Sequence, residues 1–209
     1  MTELTAFDPR QHRMCATRYF EDFVVGEKFV LPSRTMTDAL FAAFQLASGD
    51  NHPVHYNVEY CRKRGMPNML AHGFQVLAQT CGGAGLFAHM VEDSLRGFIE
   101  QSSRFLGMVF VGDTLYATLE VAELVPNRTT GVLTLASTVY NQHGKLVMDG
   151  LQKYLLKKRP PAEVAVNDAA HNDFVFCVKV HSGCIATVCH AVHGFTPIFS
   201  INSRTALMR

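Results

Sequence analysis

The chain runs through two hydrophobic rhythms in turn. After Thr37-Asp38, the residues Leu40, Phe41, Phe44 and Ala47 recur at helical spacing. This predicts an amphipathic helix that either Thr37 or Asp38 caps and Ser48-Gly49 ends. The segment Asp50 to His55 contains Pro53 and is expected as a loop rather than regular helix. Asn57 to Lys63 reads as a short helix, closed by Gly65 with Pro67 just beyond. From Gly73 to about Val91 a third helical pattern is apolar nearly all round, with Phe74, Leu77, Cys81, Ala84 and Ala88 on one face. That predicts one long buried helix. Gly82-Gly83 and Gly85 lower its helix propensity and suit a place where another backbone comes close.

The period then changes to two. Arg96 to Leu106, Thr114 to Leu124, Gly131 to Tyr140 and Lys145 to Lys157 are expected as strands, the last two joined by the turn Asn141-Gln142-His143-Gly144. The alternation Leu115-Tyr116-Ala117-Thr118-Leu119-Glu120-Val121 suits a half-buried antiparallel strand. Glu27 to Thr35 is expected as a further strand ahead of the first helix. The economical arrangement is α+β, an antiparallel sheet wrapped around one long helix. Residues 1–19 read as an N-terminal arm, 20–160 as the folded domain and 161–209 as an appendage, poor in charge and without clear periodicity.

Composition narrows the functional classes. At 209 residues and 48% hydrophobic content, the chain can bury one sizeable core. Charged residues make up 18% and nearly balance to a net +1, so no basic face for a nucleic-acid partner is expected. No run reaches the roughly eighteen apolar residues of a membrane span, and the first residues lack the apolar stretch of a secretory signal. A cytoplasmic location follows as the expectation, with the six cysteines read as reduced thiols. The spacing of Cys177, Cys184, Cys189, His190 and His193 lacks the close cysteine pair that opens most structural zinc sites, so no metal is expected.

Candidate chemistry lies in Gly49-Asp50-Asn51-His52-Pro53-Val54-His55. A carboxylate and an imidazole five residues apart on a stiffened loop can converge on one point, where histidine passes protons and aspartate orients the ring or holds a water. Taken alone, the spacing reads more simply as Asp50 capping the loop or a helix and His55 lying as a polar group on the surface. Two further features add to it. Leu70-Ala71-His72-Gly73-Phe74 opens the apolar helix, where free N–H groups can meet an oxyanion and Gly73 leaves room for a carbonyl. Phe110-Val111-Gly112-Asp113-Thr114-Leu115 is a turn leading into a strand.

Together these segments resemble the MaoC-like dehydratases, the (R)-specific enoyl-CoA hydratases of the hot-dog fold. The family's loop pattern is Asp, a variable residue, Asn, Pro, a hydrophobic residue and His, matched here by Asp50, Pro53, Val54 and His55; its His-Gly lies at His72-Gly73 and its Gly-Asp at Gly112-Asp113. The resemblance spans about Phe20 to Arg159. It implies a hot-dog fold, a homodimer or higher homo-oligomer burying sheet edges, and an acyl-CoA substrate with no cofactor beyond it. It implies that Asp50 and His55 activate one water while the Gly73 N–H polarises the thioester carbonyl. Two departures stand out. Cys81 occupies the place matched to a small hydroxyl residue that supports the carboxylate, and His52 stands where the family carries Asn. His52 is read as a replacement organiser of the loop. His52, Cys81 and His72 are candidates for substrate contact, as is Arg104, which would suit a carboxylated acyl group; Arg62, Lys63 and Arg64 could meet coenzyme A phosphates. The rivals are a hot-dog thioesterase and a non-catalytic acyl-thioester binding subunit.

Overall fold

The computed structural model describes residues 7–160. The expected 161–209 appendage and its cysteines and histidines lie outside the described residues.

Thr37 supplies the first cap: its Oγ1 accepts the Leu40 N–H at 3.3 Å, and helix α1 runs Asp38–Ser48. Gly49 ends α1 at φ 70°, a left-handed conformation that glycine adopts without Cβ strain, and turns the chain into the Asp50 loop. Pro53–His55 forms one 3-10 turn, after which Asn57 caps α2 (Val58–Arg62) by accepting the Tyr60 N–H.

The expected Glu27–Thr35 strand is divided. β1 is Lys28–Val30 and β2 is Arg34–Thr35. Pro32 between them has no N–H to give a ladder, so pairing lapses there. The later strands keep the expected positions: β3 Leu95–Phe105, β4 Thr114–Pro126, β5 Thr130–Asn141 and β6 Leu146–Lys157. All pair antiparallel in the order β1-β4-β5-β6-β3, with β2 also on β4. Leu115, Ala117, Leu119 and Val121 of β4 and Leu133, Leu135 and Val139 of β5 turn inward, and with Met36, Phe41, Val76, Phe87 and Val91 they form the core. Helical segments on one face of an antiparallel sheet make this the hot-dog arrangement.

The central helix differs from expectation. It breaks into α3 (Gly73–Leu77), two 3-10 turns (Ala78–Thr80 and Gly82–Ala84) and α4 (Phe87–Met90). The break falls at Cys81, whose ψ of 126° is not helical. Gly85 explains part of this, since a Cβ there would stand 2.7 Å from Leu31 Cδ2. The chain leaves the helical path to pass close over the β1–β2 connection. The sheet answers the polar groups that the break frees: Gln152 Nε2 donates to Thr80 O at 3.0 Å and to Thr80 Oγ1 at 2.7 Å, and the Tyr154 hydroxyl donates to Gln152 Oε1. Burial pushes the Tyr154 hydroxyl up to about 12. Residues 13–18 of the expected arm are tied down. Arg13 and Thr17 bond Asp93, and Arg18 pairs with Glu27 while its N–H meets Met90 O.

Candidate active site

The loop after α1 is organised by its own side chains. Ser48 Oγ accepts the Asp50 N–H, Asp50 Oδ1 accepts the His52 N–H, and His52 Nδ1 accepts the Val54 N–H at 3.2 Å. The last bond makes His52 the cap of the 3-10 turn that carries His55. Beneath that turn, Val54 O accepts the Leu70 N–H at 3.0 Å and the Cys61 thiol at 3.2 Å. Cys61 is fully buried, and nothing in the sequence pattern marks it as part of the site.

The segment before α3 is fixed from the other side. Leu70 bridges Phe110, Ala71 N donates to Val109 O, and Val111 N donates to Met69 O. Asp113 closes the following turn by accepting the Phe110 N–H at 2.8 Å and an N–H of Gln142. Gly112-Asp113 therefore acts at a distance, by holding the segment that carries Leu70.

Leu70 in turn sets the chemistry of His55. Its carbonyl can only accept, and it lies 2.7 Å from His55 Nδ1. The proton therefore sits on Nδ1, and Nε2 presents a lone pair. That nitrogen faces Asp50 Oδ2 at 3.8 Å, too far for a direct hydrogen bond and short enough for one water to span. The imidazole is tucked in at 11% side-chain exposure, while the carboxylate is 54% exposed. Burial is the largest influence on His55 and holds its pKa below the ordinary 6.5, against the raising effect of the Leu70 bond; His72 and His52 lower it further and Asp50 raises it.

His72, buried, stacks on His55 with ring centroids 3.6 Å apart and planes at 20°. Its Nε2 lies 3.1 Å from Asp50 O, which ties the start of α3 to the Asp50 loop. Gly73 follows at the first helical position, where the N–H has no partner within the helix. With only five residues of α-helix behind it, the dipole adds little, and any oxyanion role falls to the N–H itself.

Asp50, His55, His72 and Gly73 are thus brought together, with His52 beside them. Cys81 and Arg104 are placed elsewhere. Cys81 sits exposed at the helix break, without a hydrogen bond to Asp50. Arg104 lies on the sheet surface in a bidentate pair with Asp149, its cross-strand neighbour, at 2.9 and 2.6 Å. Arg62 pairs with Glu59, and Arg64 lies over the Tyr60 ring. Phe41 and Phe87 are core residues, whereas Phe44 stands 4.9 Å from the His72 ring. Donor atoms of Asp50, His55 and His72 lie within 4.8 Å of one another. With His72 Nδ1 engaged by the Gln75 amide, His72 Nε2 by Asp50 O and His55 Nδ1 by Leu70 O, two free donors remain, short of the three protein ligands that hold a catalytic zinc.

Residues 22–141 match the model of the MaoC-like domain, more than half of the chain. The chain belongs to the MaoC-like dehydratase family. Among its MaoC-like relatives, an (R)-specific enoyl-CoA hydratase from Rhodospirillum rubrum is 29% identical over 136 residues, covering 63% of this chain and 87% of the relative. A solved structure of a monoamine oxidase regulatory protein from Archaeoglobus fulgius superposes with a TM-score of 0.66 at 31% identity, over 71% of this chain and 99% of that one. A Mycobacterium tuberculosis protein with a double hotdog fold superposes at 0.59 and 26% identity, over 74% of this chain and 52% of that one.

Proposed function

We propose that this MaoC-like chain is an (R)-specific enoyl-CoA hydratase, and by microscopic reversibility a 3-hydroxyacyl-CoA dehydratase. The observation that carries the reading is the gap between His55 Nε2 and Asp50 Oδ2, with the His55 lone pair turned into it. A water in that gap donates one hydrogen to each acceptor, which aims its oxygen lone pair at the substrate. In hydration the water oxygen bonds to the β-carbon and its proton passes to the acid–base pair. The electron pair of the double bond moves to an enolate-like oxygen, which the Gly73 N–H stabilises, and a proton returned to the α-carbon completes the addition. Water is the only co-substrate; the step calls for no metal or redox cofactor. A panel of enoyl-CoA thioesters followed by loss of conjugated-enone absorbance tests the reading. Release of free thiol without change in that absorbance would overturn it in favour of a thioesterase.

The protonation sign of His55 gives a pH dependence. The hydration-competent form has a free Nε2 lone pair, which a proton removes at low pH. Because the pKa is held below 6.5, kcat/KM for hydration should be flat near neutral pH and fall only at more acidic pH, with its midpoint below 6.5. A midpoint above 6.5 would show that burial does not hold the His55 pKa down in the free protein, and no acidic fall at all would rule out neutral His55 as the acceptor.

The homodimer belongs to the same proposal. β3 is the last strand of the sheet order, and Phe98 and Ile99 along it, with Leu106 just beyond its end, are exposed. An edge that combines unpaired backbone groups with large apolar side chains favours pairing with a second copy. Light scattering on the purified 23.2 kDa chain should report a dimer or larger assembly, and Ile99→Lys should shift it toward monomer.

A further inference from the structure

Gln75 sits in the first turn of α3 at 3% exposure, with its Oε1 3.4 Å from His72 Nδ1 and its Nε2 without a partner among the described residues. The other His72 nitrogen faces the carbonyl of Asp50 at 3.1 Å. A carbonyl only accepts, so Nε2 must carry a proton. A neutral imidazole then has a lone pair at Nδ1 and needs a donor there, not an amide oxygen. Turning the Gln75 amide by half about its terminal bond supplies that donor. The same turn gives the unpartnered NH2 an acceptor and puts the amide oxygen in its former place, where a buried acceptor tolerates a missing partner better than a buried N–H does.

The geometry points to Gln75 as a positioning residue that holds His72 as the neutral Nε2–H tautomer, through which it fixes the Asp50 backbone and keeps an uncharged ring stacked on His55. This rests on the hydratase reading for its consequence, though not for its structural core. The consequence follows from the stacking. His55 takes up a proton during hydration, and a cationic His72 at 3.6 Å would oppose that uptake. Around this pair the titratable neighbours are Asp50 and His52 on the loop and Tyr60 of α2, which faces His52; α1 contributes only the uncharged rings of Phe41 and Phe44.

Nitrogen-15 NMR of histidine-labelled protein tests the assignment, with His72 identified by its proximity to the Phe44 ring protons. The wild-type spectrum should show His72 protonated at Nε2 and bare at Nδ1 at pH 8. Protonation at Nδ1, alone or with Nε2, overturns the proposal, and no variant is needed to decide it. Gln75→Glu, close in shape but without an N–H, should add the second proton to His72. It should lower kcat for crotonyl-CoA about tenfold, the equivalent of one pKa unit of opposition at His55, with KM little changed. An unchanged tautomer together with an unchanged kcat in Gln75→Glu also overturns it. Should the wild-type protein show the expected tautomer and hydrate no enoyl thioester, the hydratase reading falls while the assignment of Gln75 stands.

Discussion

Asp50→Asn should reduce kcat/KM for hydration of crotonyl-CoA by roughly a hundredfold to ten-thousandfold, the range that general acid–base groups supply, with little change in melting temperature. The carboxylate is 54% exposed, and its 3.8 Å separation from His55 is too long for a direct bond. Removing its charge therefore leaves no buried partner stranded, and the effect on stability should stay within about 0.5 kcal/mol, as for most surface substitutions. His55→Gln should reduce activity over the same range but also melt somewhat lower. The Leu70 carbonyl loses the His55 Nδ1–H, and a hydrogen bond of this kind contributes about 1 kcal/mol. If the two side chains hold one water between them, the double variant should be scarcely worse than either single one, because groups acting as a unit are far from additive. Steady-state kinetics with circular dichroism melts decide the matter. Retention of more than about a tenth of the activity in both single variants would remove Asp50 and His55 from the chemistry, and unaltered ligand affinity with no turnover in the wild type would favour the binding-subunit rival.

The positions of β3 to β6, α1 and α2 were legible because each rests on local pattern: period-two alternation, a Thr37 cap, a Gly49 stop, an Asn57 cap. Asp50 and His55 were legible because both lie on one short loop. The rest depends on contacts distant in sequence. The interruption at Cys81 needs the closeness of Leu31 to Gly85 and the reach of Gln152 to Thr80, so propensity alone reads Gly73 to Val91 as one helix. That interruption also removes the basis for placing Cys81 beside the carboxylate. Arg104 alternates correctly along its strand, yet only the register with β6 shows that Asp149 already engages it. Gly112-Asp113 stands out in the sequence as a motif, but its work, holding Leu70 behind His55, passes through the Leu70–Phe110 bridge. Likewise Cys61 and Gln75 carry no signal of their own. One is a buried thiol under a turn and the other a polar residue in an apolar run, and each matters through a single partner.

Gly73→Ala should lower kcat by roughly a hundredfold to a thousandfold, the scale of losing an oxyanion donor, while the protein remains folded. The methyl group would meet the Phe105 ring, with Cε2 and Cζ both 3.1 Å from where a Cβ would stand. Phe105 is 51% exposed and can swing away by the few tenths of an ångström required, so the fold should tolerate the change. On the proposed oxyanion role, the remaining obstruction is to the thioester oxygen that must come within about 3 Å of the Gly73 N–H. A second substitution separates the two causes. If crowding against Phe105 displaces α3 and thereby the His72–His55 stack, Gly73→Ala combined with Phe105→Ala should regain most of the activity. If the methyl excludes the substrate oxygen, the double variant should be as slow as Gly73→Ala alone, and Phe105→Ala by itself should be near wild type. Recovery in the double variant would show that Gly73 is needed for packing, and the oxyanion role assigned to its N–H would have to be given up.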